Sequence, residues 1–181
     1  MELFIALGFP SNVLDALEET QRQICFAGAA APGELEARSD LHLTLRYLGP
    51  QAVPQQVVER LSLVTSPCFH LRLSGTGCFH AGRQRTLWSG VDGDMEGLAA
   101  LKGAVDDALK VLPVGPEQQP FFPHITLAAC PERDQVPITH PAAQTDFSVA
   151  DFHLYKILPR GAHPRFEKLN SFALTGREPH A

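Results

Sequence analysis

No stretch of the 181-residue chain approaches the ~20 consecutive apolar residues that a bilayer-spanning helix needs. Cysteines are few, and the four present (Cys25, Cys68, Cys78 and Cys130) form no CxxC. None has a His at zinc-ligand spacing either, so the common structural zinc patterns are excluded. Positive charge is also short: 15 Lys and Arg against 20 Asp and Glu leave a formal net charge of -5. A protein that tracks long nucleic acid carries a basic stripe, so that class is excluded. A nucleic-acid end met by a few local donors is not. The opening residues Met1 to Leu7 place an acid where a signal peptide has basic residues, and their apolar run is short. They read as a first strand, and the expectation is a cytoplasmic protein with reduced, mostly buried thiols.

Apolar residues make up 44% of the chain, enough to build a core and to exclude disorder. The length predicts a single domain over residues 1–181, or two small fused lobes within it. Leu3 to Phe9 reads as a strand. Ser11 or Asn12 then caps a helix whose apolar positions are Val13, Leu14, Leu17 and Ile24. Leu41 to Leu48 alternates, with Leu41, Leu43, Leu45 and Tyr47 on one side and His42, Thr44 and Arg46 on the other. A second helix runs from Pro54 to Leu63, and strands follow at 69–79 and 86–91, with 83–85 between them as a loop. Asp94 caps a helix over 95–112 with Leu98, Leu101, Val105 and Leu109 on its buried stripe. Residues 113–123 form a loop, and strands occupy 124–129, 147–158 and 166–174. The interleaving predicts an α+β fold with antiparallel or mixed sheets, not a doubly wound parallel sheet.

One pattern occurs twice, 82 residues apart: His42-Leu43-Thr44-Leu45 and His124-Ile125-Thr126-Leu127. With 8 His in the chain, chance supplies only about 0.4 His-x-Thr pairs, before any apolar partners are required. On a strand, residues i and i+2 share a face about 6.6 Å apart. Each motif thus presents an imidazole and a hydroxyl together, with apolar neighbours anchored in a core. Two such strands lining a shared cleft surround one ligand with two His and two Thr. Near neutral pH, one imidazole can be neutral and the other protonated, which suits a reaction needing base and acid at once. The hydroxyls and Arg46 can hydrogen-bond a phosphate oxyanion. No metal is required if a His protonates the leaving oxygen, and the remaining His residues show no metal-type spacing.

These residues resemble the 2H phosphoesterase superfamily, named for its two His-x-Thr motifs. Within it, the chain is most similar to the RNA 2′,3′-cyclic phosphodiesterases, historically called 2′-5′ RNA ligases. The resemblance runs from Leu3-Phe4-Ile5-Ala6-Leu7 through His42 to Gly49 and Arg85 to Val91. It continues through Phe122-Pro123-His124-Ile125-Thr126-Leu127-Ala128 to Phe172-Ala173-Leu174. It implies a bilobal α+β fold, with two pseudo-twofold-related lobes whose sheets line a central cleft. It also implies cofactor- and metal-independent hydrolysis of RNA 2′,3′-cyclic phosphate ends to 2′-phosphates. His42 and His124 would be the acid–base pair, and Thr44 and Thr126 would hold the phosphate. Near-symmetry hides which His is which; the assignment adopted from sequence is His124 as base and His42 as acid. The other readings left open are ATP-independent joining or cleavage of 2′-5′ RNA linkages, action on a small cyclic nucleotide, and an RNA-end-binding module without turnover. The expected partner is an RNA or oligonucleotide with a cyclic phosphate terminus, met by a monomer and not at a membrane.

The chain departs from the family where Leu127-Ala128 is followed by Ala129 rather than Arg. It departs again where Gln118-Gln119-Pro120-Phe121 replaces a basic approach to the second motif, and where Lys156 follows Leu154-Tyr155. Phe121 or Phe122 is a candidate for stacking on a base, whereas Trp88, in an apolar strand, is expected in the core. Lys156, Arg160, Arg165, Lys168 and Arg177 cluster against Asp151 and Glu167. They read first as a solvated face and second as an RNA-facing rim.

Overall fold

The computed structural model describes residues 1–51, 54–115, 117, 119–132 and 145–175. It is an α+β structure built on one eight-stranded sheet. The strands are β1 (Glu2–Leu7), β2 (Leu43–Pro50), β3 (Phe69–Ala81), β4 (Gln84–Gly93), β5 (Ile125–Pro131), β6 (Asp146–Val149), β7 (Asp151–Ile157) and β8 (Phe166–Ala173). Their order across the sheet is β6-β3-β4-β5-β2-β1-β7-β8, and every neighbouring pair is antiparallel. Helix α1 (Ser11–Phe26) connects β1 to β2, α2 (Pro54–Leu61) connects β2 to β3, and α3 (Met95–Leu109) connects β4 to β5. No helix among the described residues is long and apolar enough to cross a membrane.

The two middle strands, β2 and β5, touch at one residue pair, Leu43 and Ile125. Four strands lie on either side of that point. Period-2 alternation sends Leu43, Leu45, Ile125 and Leu127 into the core, each no more than 1% exposed. Helix α1 adds Val13, Leu17 and Ile24, and α3 adds Leu98, Leu101, Val105 and Leu109. The buried Gln21 side chain of α1 donates to the carbonyls of Glu36 (2.8 Å) and Leu127 (2.9 Å), tying the helix of one half to the motif strand of the other.

Local chemistry explains the element boundaries. The Asp94 carboxylate accepts the Gly97 N–H at 2.7 Å and starts α3 as the sequence predicts. Helix α1 instead begins one or two residues before the expected Ser11 or Asn12 cap, with Pro10 at the cap position and Ser11 already helical. The two-residue loop Gly82–Arg83 turns β3 into β4 with φ +62° at Gly82, a conformation that favours glycine. Arg85 therefore lies in β4 and not in a loop. It is 4% exposed, with its guanidinium on the Ala29 carbonyl and the Cys130 sulfur. Tyr47 is 52% exposed, contrary to the alternation that put it with Leu45. A register shift between Leu3 and Phe4 pairs Phe4 with Tyr47 and Leu3 with Gly49, so the chain re-aims there.

The run expected as one strand over 147–158 is two. It breaks at Ala150, whose carbonyl accepts the Leu174 N–H. β6 then pairs with β3 at one end of the sheet, while β7 pairs with β1 and β8 in the other half.

Candidate active site

The single β2–β5 contact places the two motifs against each other. Because Leu43 pairs with Ile125 in antiparallel register, counting one residue outward sets His42 opposite Thr126 and Thr44 opposite His124. Directly opposed Cα atoms in such pairs are about 4.5–5.5 Å apart. The two histidines are diagonal neighbours across this one contact. Leu43 and Ile125 are both 0% exposed, so the four polar residues share the face away from that core.

Both imidazoles are fixed in the same way. His42 Nδ1 lies 2.6 Å from the carbonyl of Asp40, and His124 Nδ1 lies 2.8 Å from that of Phe122. A carbonyl only accepts, so Nδ1–H donates in each case and the proton-exchanging Nε2 is left for a ligand. The carbonyl two residues back is presented by a short 3₁₀ turn, Arg38–Asp40, before the first motif. Pro123 stands between donor and acceptor in the second.

The surroundings of the two differ. His42 is flanked by Phe4 (ring centroids 4.9 Å), Phe166 (5.0 Å) and Tyr155 (6.4 Å). Burial among these rings pushes the His42 imidazole below its ordinary pKa. The Asp40 carbonyl and carboxylate oppose the shift, while positive charge on Arg165 and on His124 adds to it. His124 stands edge-on to Phe79 at 4.9 Å and beside the exposed Phe122 at 6.2 Å. Burial and the charge of Asp151 push the Tyr155 phenol up to about 12, which keeps it a proton donor at any working pH.

A cavity of about 650 Å³ opens beside Thr44 and His124, walled by Tyr47, Phe79, Phe121, Phe122 and Glu117 among others. Phe121 lines it, with its ring 5.7 Å from the Lys102 ammonium. Trp88 is half-buried instead of forming part of the core. It packs against Phe79 and Phe122 at 5.3 Å each, with its ring over Gly77. A Cβ at Gly77 would lie 2.2 Å from that ring, so the strand needs glycine there.

Arg46 is committed elsewhere. Its guanidinium lies 3.4 Å from Asp106 and 3.3 Å from Glu117, and it donates to the Gly115 carbonyl at 2.7 Å. Lys102, with its side chain 7% exposed, joins the same two carboxylates at 2.5 and 2.7 Å. This four-charge cluster clamps the loop before the second motif to α3 and β2. Ala129 is exposed and brings no charge, Lys156 pairs with Glu167 at 3.4 Å, and Gln118 and Arg177 lie outside the described residues.

Two acidic residues that sequence reasoning did not assign, Asp40 and Glu36, hold Arg165, which the sequence reading placed on a solvated face or an RNA-facing rim. Asp40, 3% exposed, orients His42 through its carbonyl, and its carboxylate accepts the Arg165 backbone N–H at 3.0 and 3.3 Å. The Arg165 side chain pairs with Glu36 at 3.1 Å. Asp40 and Arg165 are 125 residues apart in the chain, so no local pattern could have joined them. Among the described residues, no three His, Cys, Asp or Glu side chains are grouped as a metal ion would require.

The family model of the 2′-5′ RNA ligase superfamily matches residues 9–158. A protein of Aeropyrum pernix named RNA 2′,3′-cyclic phosphodiesterase is 32% identical over 105 residues, 56% of this chain and 60% of that protein. One of the same name from Geobacillus stearothermophilus is 32% identical over 147 residues, 76% of this chain and 46% of its own length. The chain thus spans less than two thirds of either. The crystal structure of E. coli LigT complexed with 3′-AMP superposes with a TM-score of 0.77 at 25% identity, covering 97% of this chain and 98% of that one. The crystal structure of a Thermus thermophilus protein gives 0.72 at 26% identity, covering 98% and 100%.

Proposed function

The chain belongs to the 2′-5′ RNA ligase superfamily, and from that membership we propose that it hydrolyses RNA 2′,3′-cyclic phosphate ends to 2′-phosphates. The observation that carries the reading is the pair of Nδ1-anchored imidazoles set diagonally across one antiparallel contact, each beside a threonine. The name borne by the Aeropyrum and Geobacillus relatives points the same way.

In this scheme Nε2 of one histidine takes a proton from water as the water oxygen bonds to phosphorus. The P–O3′ bond breaks, and Nε2 of the other histidine donates its proton to O3′. Thr44 and Thr126 donate hydrogen bonds to the non-bridging oxygens. The burial that depresses His42 keeps it neutral at neutral pH, which favours His42 as base and His124 as acid, the reverse of the assignment drawn from sequence. The terminal nucleoside occupies the cavity beside Thr44 and His124, against Phe121 and Phe122.

Incubation with an oligonucleotide ending in a 2′,3′-cyclic phosphate, in the presence of EDTA, should give a 2′-phosphate product. A 3′-phosphate product, or binding without turnover, would reject the reading. Loss of activity in EDTA that a divalent ion restores would reject its metal-free form. Faster turnover of a 2′-5′-linked dinucleotide would move the assignment to the linkage-cleaving activity.

A further inference from the structure

Transfer at a phosphate needs positive charge, and the cations nearest the cavity are spoken for. Arg46 and Lys102 are held by Asp106 and Glu117, and position 129 is alanine. Arg165 is different. Its guanidinium carbon lies 5.1 Å over the Phe166 ring, and that ring meets His42 edge-on at 5.0 Å. One aromatic ring therefore separates the guanidinium from the imidazole, and its charge is felt at His42.

The arginine is held in place by its backbone N–H on the buried Asp40 carboxylate, by Phe166 beneath it, and by Glu36. Both contacts to Glu36 use Nη1, at 3.1 Å. Neither Nε nor Nη2 donates a hydrogen bond among the described residues, and the side chain is 53% exposed. Nε and Nη2 form the side-on edge of a guanidinium, which matches two oxygens of one phosphate. The edge is therefore open and preorganised, at the His42 side of the two motifs, whereas the cavity opens beside Thr44 and His124.

We propose that Arg165 binds the backbone phosphate on the 5′ side of the terminal nucleotide, making this enzyme prefer an oligonucleotide end over a free cyclic mononucleotide. The proposal rests on the cyclic phosphodiesterase reading. With the intervening ring, the guanidinium stands one step back from the reacting phosphorus, and the phosphate within its reach is the neighbouring one.

The test is kcat/KM on a cyclic-ended dinucleotide and on a 2′,3′-cyclic mononucleotide without a 5′-phosphate, for wild type and for Arg165→Ala. Arg165→Gln, which keeps a stem on Phe166, serves if the alanine variant does not fold. The dinucleotide-to-mononucleotide ratio should fall about tenfold, mostly through KM, as expected for losing a hydrogen-bonded charge contact. The log–log salt dependence of dinucleotide binding should become shallower by about 0.7, the value for one phosphate on a single strand. An unchanged ratio, whether both rates fall together or neither does, overturns the proposal. If the wild type turns over neither substrate, the cyclic phosphodiesterase reading itself fails, an outcome distinct from an unchanged ratio.

Discussion

His42 and His124 have the same anchor and the same threonine partner, yet only His42 is closed in by Phe4, Tyr155 and Phe166. Desolvation penalises the charged imidazole, so His42 gives up its proton below the ordinary value of 6.5. In the proposed scheme His42 is the base and must be neutral, so activity should rise as pH climbs through its pKa. The acidic limb of the kcat/KM profile should therefore lie below pH 6.5 and disappear in His42→Asn. A limb that persists in His42→Asn and vanishes in His124→Asn would restore the opposite assignment. Each substitution should cost about 10²–10⁴-fold in rate, the usual worth of a positioned acid or base, with the fold retained. The histidines and threonines were legible in the sequence because strand geometry alone puts i and i+2 on one face. Arg46 shared that pattern but is taken by Asp106 and Glu117, which come from α3 and a loop. Asp40 and Arg165 were illegible as a pair because their contact is made only by folding.

Strands and helices were readable wherever one face is buried throughout, as in α3, whose stripe Leu98, Leu101, Val105 and Leu109 is as expected. The misreadings fall where a local device interrupts the period: the register shift that exposes Tyr47, and the break at Ala150 that sends β6 and β7 to opposite halves. The clamp on the loop before β5 was equally hidden, since it joins β2, α3 and residue 117. Glu117 bridges Lys102 and Arg46 and also lines the cavity with Phe121 and Phe122. Glu117→Gln would leave two poorly hydrated cations sharing Asp106. The expected result is a loss of about 1–3 kcal/mol in urea unfolding and a KM raised several-fold, with kcat nearly kept. Wild-type stability together with wild-type KM would show that the clamp positions nothing.

At the scale of the whole molecule, the question is whether two groups of four strands that meet at one residue pair behave as one unit. Three connections argue that they do. Gln21 of α1 donates to Leu127 of β5, Arg46 of β2 is tied to α3, and the chain passes from β6 in one half to β7 in the other across Ala150. None of these can open without leaving buried polar groups unpaired or separating core layers. Unfolding should therefore be a single transition, despite the narrow join. Trp88, the sole tryptophan, sits on β4 and reports one half, whereas Tyr155 on β7 and Tyr47 on β2 lie in the other. Trp fluorescence, near-ultraviolet tyrosine signals and backbone circular dichroism should share one midpoint in urea. Gln21→Ala should lower stability by about 1 kcal/mol, because the Glu36 carbonyl loses this donor and the Leu127 carbonyl keeps only the Glu36 N–H. Separate midpoints for tryptophan and tyrosine would mean that the halves fold independently. The meeting of the two His-x-Thr motifs would then depend on docking, and Gln21→Ala would reduce activity before it reduced stability.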